Sequence, residues 1–258
     1  VQVKHWLVKD VSNNIHNRDA FGKSLLDFQK TGQENIMKVI RLEDGYVDEL
    51  PASFYFQPFE EWSALDRALV QWMTGRILDV GTGAGRLALH MQENGHDVVG
   101  IDISPSAVEA ARAIGVRDVR EHNILDGSLD GEIFDTIVLL GQNLGIAGKH
   151  ANFGSFLKTL ASMLAPGGRI IGTQVNWERT TKPEHLKFQE DNRKAGNHPV
   201  EIILRIEYDS YSEDFAWCLV NQLELIEIAD DIGLVPEAII DCCDLYGYIL
   251  RLPKPVDS

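Results

Sequence analysis

Cysteine is scarce in this sequence. Three residues out of 258, Cys218 and the adjacent pair Cys242 and Cys243, give no basis for a disulfide framework. No Cys/His spacing typical of zinc is present, and the eight dispersed histidines contain no i,i+4 pair, so no metal is expected. Positive charge is also in short supply. Lys and Arg total 24 against 39 Asp and Glu, a formal charge of −15, and no basic run exceeds two residues. That argues against a phosphate-tracking surface, and no nucleic-acid partner is expected. No apolar run approaches the roughly 18 residues of a membrane span, and no signal peptide is evident, so the expectation is no membrane and a reducing, cytoplasmic setting. What is there is ordinary globular composition, 44% hydrophobic and 24% charged, sized for a single α/β domain.

Residues 1–57 read as a mixed N-terminal extension or cover with a short amphipathic helix from Phe21 to Lys30 and a turn at Glu43-Asp44-Gly45. Residues 58–258 form the main domain, opening on a helix from Pro58 to Thr74 in which Trp62, Leu65, Ala68, Leu69 and Trp72 recur at helical spacing. From Arg76 strands and helices alternate. Strands are expected at 77–80, 97–103, 119–123, 134–140 and 169–174, and helices at 86–94, 104–114 and 153–164. Ser104 and Pro105 are start signals, Gly95 a stop. Such alternation implies an α/β fold with a doubly wound, parallel sheet. Residues 178–212 interrupt it, with a polar helix from Pro183 to Ala195, as an inserted lid or substrate cap. A hairpin follows (201–208 and 215–220, turning around 210–214), then a helix at 223–232 and closing strands at 238–242 and 246–252.

The informative segment is Arg76-Ile-Leu-Asp-Val-Gly-Thr-Gly-Ala-Gly-Arg86. Glycine at every second position lets a ligand lie against the main chain, and the following helix aims free N–H groups at it. A dinucleotide turn reads G-x-G-x-x-G, but position 86 is Arg86, and Asp79 precedes the first glycine by two residues. A carboxylate there suits an ammonium group better than a pyrophosphate. Asp102, at the end of the second strand, can accept both hydroxyls of a ribose. Asp79 and Asp102 can also be read as simple caps of the helices that follow them.

With Leu78–Gly85, Val99-Gly100-Ile101-Asp102-Ile103-Ser104, Phe134–Val138 and Leu164–Arg169 in this order, the chain resembles the class I S-adenosylmethionine-dependent methyltransferases. Asp44-Gly45-Tyr46, Leu139–Gly145, Asn192-Arg193 before Gly196, and Phe215 with Trp217 resemble more narrowly a bacterial group of such enzymes to which no substrate is assigned. In that group the fourth-strand motif more often reads Gly-Asn-Asn, and Gln142 departs from it. The resemblance implies a Rossmann-like, mostly parallel seven-stranded sheet with an N-terminal helical cover and an inserted cap, and S-adenosylmethionine as cofactor, released as S-adenosylhomocysteine. It also implies roles. Asp79 and Gly81 hold the methionine ammonium, and Thr82, Gly83 and Gly85 make room for the cofactor. Asp102 holds the ribose and Ile103 packs on adenine. Asn123, with Asp126 as competitor, meets the adenine amino group beside Ile124, and the Gly141 carbonyl meets the methionine amine.

On the acceptor side Asn143 is the first choice to orient the nucleophile, with a turn residue satisfying backbone as its alternative. His150 is a candidate base. Tyr55, Gln142, Trp177 and Arg193 are candidate substrate contacts, and Tyr55 and Phe56 can close over the cofactor. The expected activity is methyl transfer to an O or N nucleophile of a small-molecule substrate by a monomer or homodimer. A protein or peptide acceptor, or a protein that only binds the cofactor or its product, are the alternatives. An NAD-dependent oxidoreductase would need a different glycine turn.

Overall fold

The computed structural model describes residues 18–255. Its main sheet has seven strands, β3 (Arg76–Val80), β4 (Asp97–Asp102), β5 (Val119–Glu121), β6 (Phe134–Leu139), β7 (Leu164–Val175), β10 (Val235–Cys242) and β11 (Leu245–Arg251). The spatial order is β10-β11-β7-β6-β3-β4-β5. Neighbours pair in parallel except around β11, which is antiparallel to both β7 and β10. The chain therefore winds outward in both directions from β3. The switch point opens a crevice at the C-terminal ends of β3 and β6.

Helices cover both faces. On one, α5 (Phe153–Ala161) buries Phe153, Phe156, Leu157 and Leu160, and α7 (Gln222–Asp231) buries Leu225 and Ala229, against Leu78, Ile137, Ile170, Tyr246 and Tyr248. On the other, α2 (Ala64–Val70), α3 (Arg86–Glu93) and α4 (Pro105–Ala113) cover Ile77, Val98, Val138 and Ile249. Each such large side chain contributes about 1.5–3 kcal/mol on burial, far more than helix propensity supplies. β6 is apolar on both faces because it is covered on both.

A second, four-stranded antiparallel sheet has the order β2-β1-β8-β9. β1 (Ile36–Arg41) and β2 (Tyr46–Pro51) come from the N-terminal segment, and β8 (Glu201–Tyr208) and β9 (Tyr211–Cys218) from the hairpin after the polar helix α6 (Pro183–Ala195). The pairing that joins them sets Lys38–Arg41 against Leu204–Glu207. Between this sheet and the crevice lies α1 (Ala20–Thr31). One of its faces meets Ala84, Ala107 and Ala110, the other Met37 and Ile206.

Several boundaries differ from the sequence expectation. The helix expected from Pro58 begins at Ala64, where the Ser63 side chain accepts the Asp66 N–H as an N-cap. A separate 3-10 turn occupies Phe59–Glu61. The third strand stops at Glu121 because Asn123 caps a 3-10 turn, its side chain accepting the Leu125 N–H. β7 begins at Leu164, with a register shift carrying Pro166-Gly167-Gly168 out of the β6 pairing. The hairpin turns at Asp209-Ser210 rather than farther on, since Asp209 takes a left-handed conformation (φ 50°) and Tyr208 pairs with Tyr211. β1 and β2 have no counterpart in the sequence reading, and neither does their pairing with the hairpin.

Candidate active site

At the crevice the chain leaves β3 through Gly81, Gly83 and Gly85, with φ of 69°, 55° and 83°, a region glycine enters without strain. Two of these positions also need the missing side chain. A Cβ on Gly81 would stand 2.5 Å from Asn143 Nδ2, and one on Gly85 would stand 2.8 Å from Val116 Cγ2. At Gly83 a Cβ would be in ordinary contact with Phe21, 3.7 Å away, so α1 lies directly over the ribbon. The Gly81 and Thr82 N–H groups both donate to Ile101 O at 2.9 Å, fixing the turn to the end of β4.

Asp102 and Asp79 are buried beneath this turn. Asp102 Oδ2 accepts the Gly83 N–H at 2.8 Å, and Oδ1 accepts the Ser104 N–H at 2.9 Å. The carboxylate thus shapes the ribbon and the start of α4, and each oxygen keeps a lone pair for a ligand hydroxyl. Burial raises its pKa against those two N–H groups. Asp79 accepts the Thr82 hydroxyl at 2.6 Å, and burial pushes its carboxyl up to about 6.

Two acids join them that the sequence reading missed. Asp19 accepts the Ser104 hydroxyl and, at 3.2 Å, the Ser106 N–H. Glu213 Oε1 accepts the Phe21 N–H at 2.8 Å, and its pKa is raised by burial, with the charges of Asp19 and Asp102 adding to the effect. Neither residue carries a motif. Only the packing of α1 and β9 over the ribbon brings them in. Four carboxylates thus gather around one glycine turn.

The rim is apolar in part. Ile103 is 65% exposed, and Leu125, on the 3-10 turn Ile124–Asp126, is 56% exposed. Ile124, expected beside adenine, instead points into the core at 5% exposure, leaving Leu125 as the outward side chain of that turn. Asn123 caps that turn, and Asp126 is exposed at its end. The His122 N–H donates to Asp102 O at 2.9 Å, holding the turn beside the second strand.

After β6, Gly141 (φ 65°) donates its N–H to Thr173 Oγ1 at 3.1 Å. Gln142 follows in the left-handed region (φ 70°), a conformation that costs a non-glycine residue about 1–3 kcal/mol and concentrates at functional sites. Asn143 Nδ2 donates to Val80 O at 2.8 Å and Gly81 O at 2.9 Å. Its amide nitrogen is therefore occupied in clasping the two crevice loops together, while Oδ1 accepts no hydrogen bond among the described residues.

The other sequence candidates fall into two places. Tyr55 meets Phe21 edge to face at 5.0 Å, over the ribbon, with burial pushing its phenol up to about 12, and Phe56 contacts Phe28. His150 and Trp177 lie together farther along the crevice. His150 stacks on His198 at 4.4 Å, and Trp177 meets His198 edge-on at 5.7 Å. Burial, then the neighbouring His198, keep the His150 pKa low, and none of its hydrogen bonds or ring contacts reaches the glycine ribbon. Arg193 is exposed, its guanidinium 5.8 Å from the Trp177 ring, while Asn192 clamps the α6–β8 connection through Pro199 O and Glu201 O. Trp217, on β9, lies against Gly145 so closely that a Cβ there would meet the indole at 2.3 Å.

Proteins of known structure share this architecture. A family profile described as a methyltransferase domain matches residues 77–168. A Bacteroides fragilis structure, a SAM-dependent methyltransferase in complex with S-adenosyl-L-homocysteine, is 29% identical and superposes with a TM-score of 0.78 over 92% of this chain and 95% of that one. This is a class I S-adenosylmethionine-dependent methyltransferase domain. Among curated proteins, a ubiquinone biosynthesis O-methyltransferase of Sinorhizobium medicae is 32% identical over 51% of this chain. A ribosomal protein L11 methyltransferase of Thermus thermophilus is 33% identical over 40%. The matches span 55% and 40% of those two proteins, so what they share with this methyltransferase is the cofactor domain. The doubly wound sheet and the cofactor of this methyltransferase class agree with the sequence expectation. Among the described residues no helix is long and apolar enough to cross a membrane.

Proposed function

We propose that this methyltransferase moves the methyl group of S-adenosylmethionine to an O or N nucleophile on a small, polar, uncharged molecule. The cofactor supplies an electrophilic methyl on a sulfonium. The chain's own residues fit it. Asp79, with Asp19 and Glu213 nearby, offers negative charge to an ammonium and a sulfonium. Asp102 offers lone pairs to ribose hydroxyls, and Ile103 and Leu125 offer apolar contact to a base. Gly81, Gly83 and Gly85 admit the ligand against the main chain, and Gly141, at the end of β6, would offer its carbonyl to the amine. In-line displacement needs alignment and exclusion of water more than acid–base chemistry, and positioning alone supplies about 7–11 kcal/mol. α1 and Tyr55 exclude water above the ribbon, and the clasp of Asn143 holds the two loops in register.

The observation that carries the acceptor reading is a concentration of unsatisfied polar groups. Six buried side-chain polar atoms lack a hydrogen-bond partner among the described residues: His150 Nε2, both ends of the Gln174 amide, Asn176 Oδ1, Trp177 Nε1 and Tyr248 Oη. Native folds hold a few such atoms per hundred residues, so the grouping of these six bears on function more than their number. Gln174 shares a face of β7 with Gly172, which Tyr248 overlies, and Asn176 follows the strand, while Thr173, the residue bonded to Gly141, points to the opposite face. The set therefore lies toward the C-terminal end of β7, the strand paired with β6, after which Gly141 follows. It contains donors and acceptors but no formal charge, and Trp177, His150 and His198 wall it with rings. A neutral, hydrogen-bonding, flat molecule complements it. The ubiquinone relative's named activity, an O-methyltransferase, agrees with a small acceptor, and α6 with β8 and β9 would act as its cap.

Turnover with methyl-labelled S-adenosylmethionine against separated small-metabolite and macromolecular fractions tests this. Label entering the small-metabolite fraction is the expected result. Label confined to protein would replace the small acceptor by a peptide. Tight binding of S-adenosylhomocysteine with no transfer to either would leave a cofactor-binding protein.

A further inference from the structure

Among the described residues, away from the glycine ribbon, three side chains from distant parts of the sequence converge with metal-ligand chemistry. His150, in the 3-10 turn before α5, His198, between α6 and β8, and Glu224, in the first turn of α7, present ligand atoms that all lie within 4.8 Å of one another. We propose that these three residues bind a divalent transition metal of the zinc class, with one coordination position left open.

The donor set is two imidazoles and one carboxylate, the set that zinc accepts with a fourth position for water or substrate. Glu224 and His198 are held from behind, as metal ligands characteristically are, while the His150 ring is held by stacking. Glu224 Oε2 accepts the Asn221 N–H at 2.6 Å, half of the capping box that starts α7, leaving Oε1 directed at His198 Nε2, 2.9 Å away. His198 Nδ1 faces Cys218 Sγ at 3.7 Å, and the His150 main-chain N–H is fixed by Glu201 Oε1 at 2.8 Å. The His198–Glu224 contact alone could be an ordinary hydrogen bond, but it leaves His150 unexplained. That imidazole is stacked at 4.4 Å and 13° on His198, with Nε2 buried and unpartnered. A metal satisfies it and replaces the proton between His198 and Glu224. Zinc–ligand bonds of about 2.0–2.1 Å set tetrahedral donors about 3.3 Å apart, so the group closes by roughly 1.5 Å at most, with the two imidazoles turning out of their stack until both ring planes contain the ion. The bound ion would pin the cap connection at His198 to the main domain at α5 and α7, and would leave the other five unpartnered polar atoms for the acceptor.

Co2+ titration of the full chain tests the site, with Cys242→Ser and Cys243→Ser made first so that the adjacent thiols cannot report. One equivalent should produce the visible absorption of tetrahedral Co2+, reversed by one equivalent of Zn2+ and unaffected by excess Mg2+, which prefers oxygen ligands. His150→Phe, which keeps a ring in the stack, and His198→Asn should each weaken binding at least tenfold, while affinity for S-adenosylhomocysteine stays within twofold and reports an intact fold. Glu224→Gln should do the same. If loss of its capping charge unfolds α7, the two histidine variants decide alone. Absence of the Co2+ bands, or bands and stoichiometry unchanged in both histidine variants, would overturn the site.

Discussion

The two halves of the crevice are built in different ways. The floor that receives the cofactor comes from one continuous stretch, Arg76 to Ser104, in which a strand, a glycine turn, a helix and a second strand bond mainly to one another: Gly81 and Thr82 to Ile101, Gly83 to Asp102. The roof and the acceptor side are assembled from segments more than 150 residues apart, as β1 pairs with β8 and Phe21 with Glu213. Local construction makes the floor rigid and specific for one ligand. Construction by distant segments lets the roof and acceptor wall differ without disturbing the floor.

Substitutions that separate the halves should therefore fall into two classes. The largest effect is expected for Gly81→Ala, which forces a side chain into φ 69° and against Asn143. Calorimetry should show S-adenosylhomocysteine affinity reduced by about a hundredfold or more. Asp102→Ala removes the proposed ribose acceptor along with the partner of the Gly83 and Ser104 N–H groups, and should cost about 2–3 kcal/mol of cofactor binding, roughly 30–150-fold. Unchanged affinity in either variant would remove that residue from the site.

Acid should act on the floor through Asp79. Below about pH 6 its carboxyl is protonated and no longer faces an ammonium as an anion, so affinity for S-adenosylhomocysteine should fall by nearly tenfold per pH unit and level off above about 7. The sign for ligand-free stability is opposite. The folded state holds this proton more tightly than the unfolded chain, whose ordinary value is 3.8, so the contribution is full below about pH 4 and is lost as pH rises through 6. The ligand's stabilising effect in thermal melts should consequently be larger at pH 7 than at pH 5.

On the acceptor side, Gln174→Leu should slow methyl transfer by about tenfold and leave cofactor affinity unchanged. It should also raise the melting midpoint by about 2–4 °C, because a buried amide with both ends unpaired is replaced by an apolar side chain of similar size. A drop in stability would show that the amide is satisfied in solution by something other than substrate. The smallest effect is expected for Arg205→Ala on the outer face of the second sheet. It breaks a half-exposed ion pair with Asp214 and should change stability by less than about 1 kcal/mol.

The same contrast explains what the sequence disclosed. Period and glycine spacing revealed β3 through α4 almost to the residue, because each element there is set by its own caps and by neighbours within a few turns. The placement of Asp79, Asp102 and the ribbon at the strand ends was legible for that reason. Asp19 and Glu213 were not, since nothing near either in the chain marks it. Their role arises only when α1 and β9 meet over Gly83. Ile124 and Leu125 illustrate a finer failure: two adjacent apolar residues on a 3-10 turn must point in different directions, and spacing alone did not say which one faces outward. β1 and β2 escaped notice because their alternation is weak, with Lys38, Arg41, Asp48 and Glu49 interleaved, and their order comes from pairing with a hairpin far downstream.

The junction between β1 and β8 bears on any attempt to trim this protein. A version beginning near Pro58 would keep α2, the glycine ribbon and every strand of the main sheet. It would also strip β8 of its partner along Leu204–Glu207, baring a row of amide and carbonyl groups beside Ile203 and Ile206. Such an open border invites other chains to dock strand to strand, so the shortened protein should be lost to self-association even though its nucleotide fold is intact.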